Sequence, residues 1–94
     1  MKKQEMGCIL QRATEKYGFE AQMQMAIEEM SELMKELCKY FRYAENDKEI
    51  VEEIADVKIM IWQMEMLFNY KDKVNRIMEK KIRRLKKRME KDEK

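Results

Sequence analysis

Two short groups of carboxylates carry the residue types and spacing that could do chemistry: Glu28-Glu29-Met30-Ser31-Glu32 and Glu53-Ile54-Ala55-Asp56. Glu29 and Glu32 are three residues apart, as are Glu53 and Asp56, so each pair would share one side of a helix. Glu36 extends the first line, and Met25, Glu29, Glu32 and Glu36 follow at steps of four, three and four. On a helical wheel Glu53 falls in line with Met60 and Leu67, and Asp56 stands one turn before Met60. Both acids therefore flank an apolar stripe. A carboxylate in such a place is costly unless it is paired or binds a metal. No Lys or Arg lies within a turn of Glu53 or Asp56 except Lys58, which the wheel turns away. Hard oxygen donors, with no histidine and no cysteine cluster, suit Mg²⁺ or Mn²⁺ rather than zinc or copper, and Mg²⁺ sites commonly add substrate phosphates to a few carboxylates. In a chain this rich in acids, chance supplies roughly four such pairs. Weight comes from two pairs meeting apolar stripes on helices that a short connection makes antiparallel neighbours.

The elements that must position these acids are helices. The chain has 94 residues, no proline and two glycines, and is crowded with Glu, Lys, Met, Leu and Ile. The reading is all-α, a bundle of four to five helices in a single domain over 1–94. A first helix is expected from Lys3 to Lys16, closed by Tyr17-Gly18. A second starts near Glu20, carries Ile27, Met30, Met34, Leu37 and Phe41 on one apolar face, and ends around Tyr43 to Glu45. Asn46 with Glu49 resembles a capping box opening a third helix that runs to about Phe68. Asp72 is the expected cap of a basic final helix over 73–92, striped by Val74, Met78, Ile82, Leu85 and Met89.

The third helix is apolar on two sides, with Ile50, Ile54, Val57, Ile61, Met64 and Phe68 on one and Ala55, Ile59, Trp62 and Met66 roughly opposite. In so short a chain, one face serves the subunit core and the other meets a second copy, so a homo-oligomer is predicted, a tetramer in preference to a dimer. Net charge is +2, but 73–94 holds 11 basic against 4 acidic residues, leaving 10 basic against 15 acidic in 1–72. An acidic body thus carries a basic tail. Two cysteines make no disulfide framework, there is no signal-peptide pattern, and no apolar run is long enough to span a membrane. The expected location is the cytoplasm, with no membrane partner.

Glu28-Glu29-Met30-Ser31-Glu32-Leu33 followed by Glu53-Ile54-Ala55-Asp56-Val57 resembles the two-part signature of the MazG-like all-α nucleotide pyrophosphohydrolases. The resemblance spans roughly Tyr17 to Arg88. It implies a helical-bundle subunit in a dimer or tetramer, and Mg²⁺-dependent hydrolysis of a nucleoside triphosphate to monophosphate and pyrophosphate. Carried over residue by residue, Glu29, Glu32, Glu53 and Asp56 would hold the metal, and Glu28 would orient or deprotonate the attacking water. Lys81 and Arg84 match the family's basic pair near the last helix, and Lys35 and Lys39 would reach the phosphates from the second helix.

Two other readings compete. Phosphoribosyl-ATP pyrophosphatases share the fold, but this chain lacks their glycine before the paired glutamates and has no histidine. A non-enzymatic helical module with a basic tail is the second. Residues 73–94 hold no aromatic to stack on bases, which argues against nucleic acid.

Overall fold

Three residues with positive φ, Gly18, Ala44 and Asn69, punctuate the chain. The computed structural model describes residues 1–93, and between these breaks run four helices: α1 (Lys3–Tyr17), α2 (Phe19–Tyr43), α3 (Asp47–Phe68) and α4 (Lys71–Asp92). No strand occurs among the described residues. Gly18 takes φ 92°, ψ 159°, a region open essentially to glycine alone. Its N–H caps α1 by donating to the Thr14 carbonyl, and its own carbonyl accepts from the Gln22 N–H, so one residue serves both helices. At the end of α3, left-handed Asn69 donates to Met66 and Tyr70 donates to Glu65, the paired bonds of a Schellman closure.

The body is the antiparallel hairpin of α2 and α3, with α1 laid against both; α4 adjoins α3 alone among the described elements. Contacts along the seam fix its register. Glu36 meets Asn46 at the turn, Glu29 reaches Asp56 midway, and Phe19 meets Phe68 edge-on with ring centroids 5.2 Å apart at the far end. Each step back along α2 is thus matched by a step forward along α3.

What the seam buries differs from the expected apolar face of α2. Ala26, Val57 and Met60 are the buried apolar residues, joined by Gln22, Glu36 and Gln63. Ile27, Met30, Met34, Leu37 and Phe41 all face outward, Phe41 at 90 % exposure. This rotation goes with the polar contact of Asn46 with Glu36 at the turn, while Gln63 bonds to α1 instead. The expected caps also differ. Neither Asn46 nor Asp72 caps a helix by its side chain: Asn46 turns back to α2, and Asp72 lies inside the first turn of α4, after Tyr70.

α1 is tied down at two points. Gln63 Nε2 donates to the Leu10 carbonyl at 3.2 Å, and the Trp62 ring lies against Gly7. α4 has no buried residue; its Met78, Ile82, Leu85 and Met89 stand in solvent.

The two glycines should respond oppositely to alanine. A Cβ at Gly7 would sit 3.5 Å from Trp62 Cζ2, an ordinary contact, so Gly7→Ala is expected to stabilise the fold by about 0.5–1 kcal/mol through helix propensity. Gly18→Ala forces a side chain into a glycine-only conformation and should cost about 1–3 kcal/mol. Urea unfolding at matched protein concentration measures both.

Candidate metal centre

Near its middle α2 presents Glu29 toward the first turns of α3, where Glu53 and Asp56 stand one turn apart. The hairpin register brings one carboxylate oxygen from each of the three within 4.8 Å of the others. In an octahedral shell at Mg²⁺–oxygen distances, neighbouring oxygens are about 2.9 Å and opposite ones about 4.2 Å apart.

Nothing cationic offsets the charge. The ion pairs among the described residues are Lys39–Glu36, Arg83–Glu79 and Lys86–Glu90, none of them on Glu29, Glu53 or Asp56. Glu53 Oε2 is buried with no hydrogen-bond partner. Desolvation, then the Asp56 charge and its hydrogen bond, then Glu53 and Glu32, push the Glu29 carboxyl above the usual carboxylate range. Glu53 is pushed up likewise, by desolvation first and then by Asp56, Glu32, Glu36 and Glu52. Crowded, half-buried acids with an orphaned oxygen and no counter-charge are a donor set that a hard divalent cation fits.

The other expected site residues fall at different distances from this cluster. Glu32 is exposed on the rim, close enough to raise both Glu29 and Glu53, but its oxygens are not among the converging three. Glu28 is exposed outside the cluster, and its main-chain carbonyl accepts from Ser31 Oγ at 2.7 Å. Lys39 pairs with Glu36 at 3.5 Å, and Lys35 is exposed beside it, its charge felt at Glu36. Lys81 lines an open groove on α4 with Tyr70, Lys73, Val74, Ile77 and Met78, and Arg84 is exposed one turn farther on. Neither Lys81 nor Arg84 is among the charges that act on Glu29 or Glu53 in the subunit. Trp62, which belongs to the second apolar face of α3 and not to the expected site, is half a turn around α3 from Glu53 and packs toward α1.

Sequence reasoning missed the partnership of Glu36 and Asn46. Asn46 Nδ2 donates to the Glu36 carbonyl at 2.8 Å and to its Oε1 at 3.1 Å. Held by Asn46 first and also by Lys39, Glu36 is lowered below the usual carboxylate range. The available signal was the seven-residue polar repeat Gln22, Glu29 and Glu36, which marks a side of α2 distinct from its Ile27 to Phe41 face.

Comparison with known proteins bears on the whole arrangement. The family model of the MazG nucleotide pyrophosphohydrolase domain matches residues 17–89, which takes in both carboxylate groups, the hairpin and most of α4. No curated protein and no solved structure gave a match. With an all-helical fold and a family model covering most of its length, this chain belongs to the MazG nucleotide pyrophosphohydrolase domain family.

Proposed function

We propose that this chain is a Mg²⁺-dependent nucleoside triphosphate pyrophosphohydrolase, cleaving an NTP or dNTP to the monophosphate and pyrophosphate, with Mn²⁺ able to replace Mg²⁺. One observation carries the reading: oxygens of Glu29, Glu53 and Asp56 converge, with no ion pair to a basic side chain among the described residues, inside a nucleotide pyrophosphohydrolase domain. Glu29, Glu53 and Asp56 would supply metal ligands directly, and Glu32 would join them by turning in from the rim. Bound there, a divalent cation offsets phosphate charge and acidifies a water. Glu28, at the solvent side of the same helix turn, would orient that water and accept its proton. The water oxygen bonds to the α-phosphorus while the bond to the bridging oxygen breaks, and pyrophosphate leaves with the electron pair.

A triphosphate beside four carboxylates needs basic side chains. Lys35 and Lys39 would approach from α2 of the same subunit. Lys81 and Arg84 would approach when α4 of a neighbouring copy crosses the mouth of the site, since α4 stands away from its own α2. Surface character supports such an assembly. One apolar face runs along α2 through Ile27, Met34 and Phe41, and a second along α4 through Ile82, Leu85 and Met89, all of them exposed in the single subunit. Three buried apolar side chains are a thin core for 94 residues. Two separate faces favour a tetramer over a dimer. No helix is long and apolar enough to cross a membrane. The biological setting we propose is cytoplasmic house-cleaning of the nucleotide pool.

Pyrophosphate release should depend on Mg²⁺ or Mn²⁺ across a panel of canonical and modified triphosphates. It should fall roughly a hundredfold or more in Glu53→Gln, Asp56→Asn, the scale set by losing several kcal/mol of charge stabilisation. A metal-independent release, or none from any nucleotide, would reject the reading. Light scattering on a sizing column should give a mass of two or four 11.6 kDa chains, and Met34→Glu, Phe41→Glu should reduce it.

The raised carboxyls also set a pH dependence. Glu29 and Glu53 hold a proton more tightly folded than unfolded, so their contribution favours folding at low pH and is lost as pH rises from the ordinary carboxylate value through the folded one. With EDTA at neutral pH, Glu53→Gln is therefore expected to melt higher than the parent chain. Added Mg²⁺ should raise the parent's melting temperature and leave that of the variant nearly unchanged.

A further inference from the structure

Asn46 occupies the position that opens α3, yet its side chain makes no capping bond there. It reaches back ten residues instead and binds both the carbonyl and the carboxylate of Glu36, which is only 7 % exposed. Glu36 lies seven residues after Glu29 on α2, and Asn46 lies seven residues before Glu53 on α3. Each arm from the contact to the carboxylate cluster is thus about two helical turns, roughly 10.5 Å. Slippage of one helix by a single turn would carry Glu53 about 5.4 Å along the seam, more than the whole 4.8 Å spread of the converging oxygens.

Between the helices, Ala44 is held in the left-handed conformation, where alanine is disfavoured. A staple at that turn needs no charge. A buried carboxylate whose field reaches Glu53 is the costlier choice, and it adds to the repulsion within the cluster. Geometric control of the acids accounts for that cost better than stability does.

We propose that the Glu36–Asn46 pair is the register clamp of the metal centre: two positioning residues that hold Glu29 opposite Glu53 and Asp56 at the spacing a divalent cation requires. This rests on the metal-centre reading above and extends it to two residues outside the carboxylate signature. Hydrogen bonds that orient metal ligands typically change affinity by roughly ten- to a hundredfold when removed.

The test is Mn²⁺ affinity of the full chain, read from the free-ion signal in electron paramagnetic resonance at a temperature where circular dichroism shows every variant folded. Asn46→Ala and Asn46→Asp should each weaken Mn²⁺ binding roughly tenfold or more. Adding Glu36→Gln to Asn46→Asp should recover part of the loss, because an amide at 36 can donate to a carboxylate at 46, although the bond to the main-chain carbonyl of residue 36 is not remade. Gln63→Ala, which cuts the tether to α1, serves as the stability control and should lower the melting temperature while leaving Mn²⁺ affinity unchanged. If Asn46→Asp does not fold, Asn46→Ala carries the comparison. Binding in both Asn46 variants as tight as in the parent would overturn the clamp alone. So would a loss that Gln63→Ala reproduces or that Glu36→Gln does not relieve. A parent chain that binds no Mn²⁺ would overturn the metal-centre reading and the clamp together.

Discussion

Holding like charges together across a helical hairpin is the constraint on which the rest of this molecule turns. Glu29, Glu53 and Asp56 repel one another, and part of that repulsion acts away from water, where screening is weakest. Their convergence requires α2 and α3 to be held by other means. Those means lie on either side of the acids: the Glu36–Asn46 contact at the turn, and the aromatic pair Phe19–Phe68 at the open end. Between them Ala26, Val57 and Met60 are the buried apolar residues among those described. The seam is accordingly half polar, an arrangement that specifies register better than it provides stability.

That choice propagates outward. Turning the polar side of α2 into the hairpin leaves its apolar side outside, and the same holds for the stripe of α4. A helix of 22 residues with an apolar stripe and no buried residue has little to hold it in an isolated subunit. The cations of α4 are distributed unevenly around it. Arg83 and Lys86 are engaged with Glu79 and Glu90 on one side, whereas Lys81, Arg84 and Arg88 project toward the other flank of the stripe. A basic flank thus lies beside the apolar stripe of α4, while the acidic body carries an exposed apolar face on α2.

Two neighbouring carboxylate environments act in opposite directions. Glu36, hydrogen-bonded by Asn46 and paired with Lys39, favours the charged form, so its contribution to folding is present at neutral pH and lost on acidification. Glu29 and Glu53, desolvated and surrounded by acids, favour the neutral form. A chain selected for stability alone would not place both kinds side by side. Repulsion among Glu29, Glu53 and Asp56 is thus a local cost to folding that the paired Glu36 does not share.

The sequence alone determined the helical class, because a chain without proline and with two glycines leaves strands little support, and it located the breaks near Gly18, Ala44 and Asn69 within a residue or two. It also identified the two carboxylate groups, since acids at three-residue spacing beside an apolar stripe are visible in periodicity. Only the tertiary structure decided which side of α2 faces inward. Periodicity marks where apolar residues cluster but not whether they meet this subunit's core or another surface, so the Ile27 to Phe41 face was legible as a face while its exposure in the subunit was not. Asn46 read as a cap because local sequence offers it that partner, and only the hairpin supplied the stronger one ten residues back. The same limit applies to Glu28, Glu32, Lys81 and Arg84: spacing places residues on a helix, but which of them converge depends on how two helices are registered and on where α4 points, and both are properties of packing between segments that no single segment encodes.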